Sequence, residues 1–228
     1  MGRIVSLLEW IMNQLGFAIC HQLPEKSLHF GGRQLPVCAR DTGLFLGFAV
    51  CFLALLIIYR REGDRFPPWQ VMAVLALFLV PTAIDAITSY AGWRETTNLV
   101  RLATGALAGT GIAALVFPLV VSQLTGREGQ RIPQRWWNVL LLLLVPGGIC
   151  LALLPRRPWA FWVWAPLVSL SILFTLLVLN FTLISLVAST AGEGRAPRVL
   201  SIGALAAAAA LVEMAVSNRL HWMVEKLL

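Results

Sequence analysis

The sequence predicts an all-α fold: a bundle of about six transmembrane helices, preceded by an N-terminal helix that is interfacial or partly inserted. Composition is the first reason, since 58% of the 228 residues are hydrophobic and only 13% are charged. Soluble domains carry about 25% charged residues, and one soluble core could not bury this much apolar surface. The second reason is that the apolar residues form runs long enough to cross a membrane. We therefore expect a multi-pass protein of the cell membrane.

The first part of the chain, residues 1–41, predicts a helix and then a polar segment. Apolar residues recur at helical spacing within Ile4–Ile19, while Glu9 and Asn13 lie on other faces, which indicates a helix that lies in the interface or enters it obliquely. The polar segment His21–Asp41 follows it. This segment contains residues that break regular structure, namely Pro24, Gly31, Gly32 and Pro36.

The helix bundle is predicted for residues 42–216. Pro81 predicts a kink in the second of its spans, and the Trp136-Trp137 pair is typical of the headgroup level. An amphipathic tail covers residues 217–228, and we expect residues 1–228 to form a single integral membrane domain. The six predicted spans are Thr42–Tyr59, Trp69–Tyr90, Leu99–Leu124, Trp136–Leu154, Trp159–Ser189 and Val199–Val216.

Six spans place four polar segments on one side of the membrane, which we name the motif face: His21–Asp41, Ala91–Asn98, Pro155–Pro158 and the tail. The other side holds the arginine-rich loops Arg60–Arg65, Arg127–Arg135 and Arg195–Arg198. Cations are divided almost evenly between the sides, and we assign the arginine-rich loops to the cytoplasm because several motif-face cations belong to candidate sites. The net charge is +7, and the cations lie between the apolar runs, where lipid headgroups can supply the opposite charge. We therefore expect membrane lipids as partners and no nucleic acid.

Candidate metal ligands gather before and at the head of the first span. Cys38 and Asp41 are three residues apart and would share one face of a helix, while His21 begins the polar segment and Cys20 directly precedes it. Nitrogen, sulfur and oxygen ligands of this kind suit Zn²⁺, and a catalytic zinc keeps one position open for water. The same residues also fit a Cys20–Cys38 disulfide or a hydrogen-bonded polar cap, and these alternatives stay open.

A second cluster follows the second span. Arg94, Asn98 and Arg101 recur at helical spacing and form one stripe, and Asp85 lies close enough across a short turn to pair with Arg94 or Arg101. The structural interpretation is a buried ion pair that fixes packing. The functional interpretation is an anion clamp, in which these arginines, Asn98 and Arg40 hold a phosphate or carboxylate. In that case Asp85, Arg94 and Arg101 are the candidate catalytic residues.

Small and polar residues inside the spans predict how helices pack. Gly43 and Gly47 on the first span, and Gly105 and Gly109 on the third, are each spaced so that another helix backbone can approach. Asn180, alone inside the fifth span, predicts an interhelical hydrogen bond.

Three motif segments resemble DUF2085, a family of integral membrane proteins from bacteria and archaea. The resemblance extends from Cys20 to Gly109 and implies a polytopic bundle with its functional residues on one face, but no particular activity. The second motif of that family commonly reads Cys-x-x-Cys, whereas Asp41 stands in its last position here, which excludes a disulfide within that pair. The segments are Cys20-His21-Gln22-x-Pro24-x-Lys26-Ser27, Pro36-Val37-Cys38-Ala39-Arg40-x-Thr42-Gly43, and Asp85 followed by Gly92-x-Arg94-x-x-Thr97-Asn98-x-x-Arg101-x-x-Thr104-Gly105.

Three classes of function fit these features, and the sequence leaves open whether the protein is an enzyme. The leading hypothesis is a metal-dependent enzyme embedded in the membrane, or a lipid-phosphate-processing protein. Its substrate, a lipid phosphate or a similar amphipathic anion, would enter the site laterally from the bilayer. The second is a protein that binds or transports a small anion or a lipid. The third is an accessory or structural subunit of a larger membrane complex, with other membrane subunits as partners.

Overall fold

The computed structural model describes residues 2–59, 67–125, 140, 142–188 and 195–226. Short 3₁₀ turns cover Pro24–Lys26 and Pro158–Ala160. The helices are α1 (Gly2–Phe17), α2 (Ala39–Tyr59), α3 (Trp69–Leu77), α4 (Val80–Tyr90), α5 (Asn98–Thr125), α6 (Leu144–Leu153), α7 (Phe161–Val187) and α8 (Arg195–Glu225), and the strands are β1 (Ser27–Phe30) and β2 (Arg33–Cys38).

Five helical segments of the described chain are long and apolar enough to cross a membrane: Ala39–Tyr59, Trp69–Tyr90, Asn98–Leu124, Pro158–Val187 and Pro197–Val224. The predicted multi-pass helical bundle is therefore confirmed. The predicted span Trp136–Leu154 is represented by α6, which has 10 residues. The Trp136-Trp137 pair and the loops Arg60–Arg65 and Arg127–Arg135 lie outside the described residues. The number of about six spans stays a prediction.

The second span is broken where proline predicts a break. Helix α3 ends at Leu77, and α4 begins at Val80, directly before Pro81. A proline in the first turn of a helix loses no intrahelical hydrogen bond, because that N–H would have no partner there. The span therefore consists of two short helices rather than one continuous helix.

Helices α2 and α5 form the central pair and make the most extensive contact between helices. Four of their glycines interlock, because a Cβ added to any of these four would overlap a carbonyl oxygen of the facing backbone. The predicted close packing is confirmed, and it puts the first turn of α2 against the N-terminal half of α5. The overlaps are Gly43 with Leu102, Gly47 with Ala106, Gly105 with Arg40 and Gly109 with Leu44.

A two-stranded hairpin, which the all-α prediction lacked, occupies most of the polar segment. Phe30 pairs with Arg33, so Gly31 and Gly32 form a two-residue turn with φ of 58° and 82°. A type I′ turn requires positive φ at both positions, which glycine adopts without strain. The inward side chains Phe30, Leu35 and Val37 are buried, so the hairpin caps one end of the bundle.

The four segments predicted for the motif face meet at this cap. Asn98, at the start of α5, donates from Nδ2 to the carbonyl oxygen of Ser27 at 3.0 Å. Strand β1 contacts the turn at Pro158–Ala160. The last turns of α8 return to the same end, where Nδ1 of His221 lies 2.6 Å from the carbonyl oxygen of Phe17. The four segments therefore lie together at one end of the bundle, and their location on one side of the membrane stays a prediction.

Helix α7 packs against both α2 and α8. Asn180 on α7 donates from Nδ2 to Oε2 of Glu213 on α8 at 2.9 Å, which confirms the predicted interhelical hydrogen bond. Helix α1 has the predicted helical form and packs against β2 and α7.

Replacing Gly105 by alanine should destabilise the bundle, because the added methyl group overlaps the Arg40 carbonyl and α2 must move away from α5. We expect a loss of about 1–3 kcal/mol, as for overpacked cores. The measurement is the midpoint of SDS-induced unfolding, followed by far-UV circular dichroism. The matched control is Gly203→Ala on α8, where nothing lies within 4 Å of the added atom. Equal midpoints for the two variants would contradict the glycine contact.

Candidate metal and anion site

Three potential metal ligands converge beneath the hairpin. Cys38 is the last residue of β2, Asp41 lies in the first turn of α2, and Cys20 follows α1 in a turn closed by its N–H to the Gly16 carbonyl at 2.9 Å. The Cys38 thiol donates to Oδ2 of Asp41 at 3.1 Å. The sulfur and oxygen atoms of the three residues all lie within 4.8 Å of one another. The structure thus brings together three of the four predicted ligands.

Both thiols are free, so the disulfide that the sequence left open is not formed here. The hydrogen-bonding interaction between the two thiols lowers the pKa of Cys20, while burial and the Asp41 carboxylate act in the opposite direction. The same interaction raises the pKa of Cys38, and burial and the nearby Asp41 charge add to this. Cys20 is therefore the more nucleophilic thiol at neutral pH.

The fourth predicted ligand, His21, is not among the clustered donors. Its ring packs at a tilt of 45° against the ring of His221, with 4.8 Å between ring centroids. It lines the same cavity as the cluster. A ligand role for His21 stays a prediction.

Asp85 is buried between two guanidinium groups. Arg40 donates to its Oδ2 at 2.5 Å and Arg94 donates to its Oδ1 at 2.8 Å. The predicted pair with Arg94 is confirmed, although the Arg94 side chain is 53% exposed. The partnership with Arg40 was not predicted, since these residues are 45 positions apart and meet only through the packing of α2, α4 and α5.

Arg101 and Asn98, the other members of the predicted stripe, have different partners. Nη2 of Arg101 donates to the Ser89 hydroxyl at 2.7 Å, and this arginine is buried. The amide of Asn98 holds the hairpin through the carbonyls of Glu25 and Ser27. Anion binding by Asn98 stays a prediction, as do the catalytic roles of Asp85, Arg94 and Arg101.

One cavity of about 580 Å³ connects the two clusters, and we name it the site cavity. Its wall includes the three clustered ligands and the cations Lys26, Arg40 and Arg101. Among the described residues, this wall includes Arg40 and Arg101 but not Arg94 or Asn98. Lys26 had no role in the sequence prediction, and its position in the Cys-His-Gln-x-Pro-x-Lys motif was the available signal.

One donor of Arg40 is left without a partner. The side chain is buried, and its Nε has no hydrogen-bond partner among the residues that the structure describes. Leaving a buried charged donor unsatisfied costs about 1–3 kcal/mol or more.

Comparison with known proteins places this site in a shared segment. Residues 20–115 match the model of a family described as predicted membrane protein, DUF2085. An uncharacterized protein of Methanothermobacter thermautotrophicus is 39% identical over 97 residues, which are 42% of this chain and 83% of that protein. An uncharacterized protein of Methanocaldococcus jannaschii is 32% identical over 102 residues, 44% of this chain and 63% of that relative. No solved structure matches the chain.

The thiol geometry predicts opposite effects of two variants on the alkylation of Cys20. In metal-free protein, Cys38→Ala removes the thiol that lowers the Cys20 pKa, so less thiolate is present at neutral pH and alkylation by iodoacetamide slows. Asp41→Asn removes a negative charge that raises this pKa, so alkylation speeds up. Mass spectrometry of the Cys20 peptide against time measures both rates, with buried Cys51 as the internal control. A change of the same sign in both variants would contradict the arrangement.

Proposed function

We propose, from the premise that this chain belongs to the DUF2085 family of predicted membrane proteins, that its motif face is a metal-dependent site for a phosphate-type anion. This is the site that a lipid-phosphate-processing enzyme requires. The observation that supports the proposal most strongly is the site cavity. Its wall includes both the three clustered metal ligands and three cationic side chains.

The donor set fits zinc. Zinc binds two thiolates at about 2.3 Å in tetrahedral geometry, which places the sulfur atoms about 3.8 Å apart. Cys20, Cys38 and Asp41 already hold their donor atoms within 4.8 Å of one another, so small side-chain movements suffice. Three protein ligands leave one tetrahedral position open, as in catalytic zinc sites. A zinc ion bound there would polarise a phosphoryl oxygen and lower the pKa of bound water.

The arginines of the cavity are held in place for an anion. Arg40 is held by its hydrogen bond to Asp85, and Arg101 is held by its hydrogen bond to Ser89. Neither guanidinium group therefore loses much conformational freedom when a ligand binds. Planar guanidinium groups match the oxygen atoms of phosphate in two parallel hydrogen bonds. In this proposal Asp85 is a positioning residue that acts through Arg40, and the burial of both arginines strengthens their attraction for the anion.

A subunit of a larger membrane complex is the second candidate function. The observation that favours it is uneven burial, since the spans Trp69–Tyr90 and Pro197–Val224 are each 22% buried while Asn98–Leu124 is 67% buried. Two peripheral spans of this kind offer large apolar faces to a neighbouring chain. Copurification of a partner chain in fixed stoichiometry would support this candidate.

Zinc content tests the metal site. We expect about one zinc per chain after incubation with zinc and gel filtration, because all three ligands are pre-assembled. Cys38→Ser and Asp41→Asn should each lower zinc retention, since each removes one of three protein ligands. Inductively coupled plasma mass spectrometry measures the metal. Cys150→Ser, which changes a cysteine of α6 outside the cluster, is the matched control.

Two results would count against the zinc site. One is wild-type protein with reduced thiols that retains no zinc. The other is equal retention in Cys38→Ser, Asp41→Asn and Cys150→Ser, since the ion would then be held elsewhere.

A further inference from the structure

An apolar stripe leads along α4 to the site cavity. Asp85, on the opposite side of α4, is buried, and Thr82 donates to the Thr104 carbonyl of α5 at 2.6 Å, so the polar groups of this helix turn inward. Tyr90 ends the stripe and is also part of the cavity wall. The exposed side chains of the stripe recur at helical spacing and are Val80, Ile84, Ile87 and Tyr90.

The length of the stripe matches one leaflet of a bilayer. From Val80 to Tyr90 a helix rises about 15 Å, which is half of the about 30 Å of hydrocarbon that a bilayer presents. The break before α4 divides the second span at that depth. A hydrocarbon chain lying along α4 would thus reach from the headgroup level to the middle of the membrane.

Cations stand where the stripe meets the cavity. The Lys26 ammonium lies 5.0 Å from the centroid of the Tyr90 ring, and the Arg40 guanidinium lies 6.0 Å from it. Both cations line the site cavity together with Arg101. An anionic group attached to a chain on α4 would therefore be placed directly at these three side chains.

The charges of the site favour a phosphomonoester. Four cations, Lys26, Arg40, Arg94 and Arg101, line or adjoin the cavity against two carboxylates, Asp41 and Asp85. This leaves a surplus of two positive charges. A phosphomonoester carries a charge of about −1.5 to −2 at neutral pH, whereas a phosphodiester carries only one negative charge.

We propose that the anion of this site is the phosphomonoester headgroup of a lipid in the motif-face leaflet, whose acyl chain lies along the α4 stripe. The inference rests on the proposed function, because it takes the site cavity as the phosphate site. Inorganic phosphate shares the headgroup chemistry and differs by lacking the hydrocarbon chain.

Photo-crosslinking in nanodiscs tests the lipid. Benzoylphenylalanine replaces Ile87 on the stripe or, as the matched control, Ile58, which is an exposed isoleucine of α2. The discs contain phosphatidylcholine with a minor fraction of phosphatidic acid, and mass spectrometry identifies the captured lipid. We expect phosphatidic acid to be enriched about tenfold over its share of the disc at Ile87, since charge-assisted hydrogen bonds to its phosphate select it. At Ile58 we expect no enrichment.

Headgroup variants show whether the enrichment comes from the cavity. Arg40→Gln should abolish the enrichment at Ile87. Because Arg40 is buried, Lys26→Gln serves as a second variant at a half-exposed position and should reduce it. Enrichment that is equal at Ile87 and Ile58, or that neither variant changes, would overturn the α4 route.

Equilibrium dialysis of radiolabelled inorganic phosphate against the same discs separates the two proposals. Phosphate that binds and depends on Arg40, without lipid enrichment at Ile87, keeps the anion site and overturns the lipid inference. Absence of binding by both phosphate and phosphatidic acid overturns the proposed anion site itself.

Discussion

The contact between α2 and α5 is the constraint on which the site depends. Gly105 packs directly on the Arg40 carbonyl, and Gly43 packs on the Leu102 carbonyl. Each glycine contact therefore lies within one residue or one turn of an arginine that faces the cavity. Because the backbones touch, Arg40 and Arg101 are held at one level of the bundle, and Asp85 on α4 can be reached from α2 across α5.

The hairpin converts this helix pair into an enclosed site. It carries Cys38 at its end, directly before the turn that bears Arg40 and Asp41, and Asn98 of α5 holds its first strand. Gln22 donates to the Pro36 carbonyl at 2.7 Å, which keeps the Cys20 turn beside β2. Chain connectivity and these two hydrogen bonds to backbone carbonyls thus bring together ligands from three segments.

Local patterns were enough to predict the features that depend on local periodicity. Runs of apolar residues predicted the spans. The separation of three residues predicted the contact of Cys38 with Asp41, and the short turn after the second span predicted the ion pair of Asp85 with Arg94. The hairpin was not predicted, because Gly31 and Gly32 were interpreted only as residues that break regular structure. A glycine pair between two short strand-like segments also indicates the tight turn of a hairpin. The Arg40–Asp85 pair and the displacement of His21 towards His221 arise from tertiary packing, which no sequence spacing records.

In the proposed site, a metal ion and an anion would be electrostatically compatible. Two thiolates carry the same amount of charge as one zinc ion with the opposite sign, so metal binding that ionises Cys20 and Cys38 leaves the local charge unchanged. The surplus of two positive charges, counted over the four cations and two carboxylates of the site, would therefore persist with the metal bound. An anion would balance it, because Asp85 neutralises only one of the two guanidinium groups that contact it. In the proposed site, zinc and phosphate would thus complement one another rather than compete for the same charges.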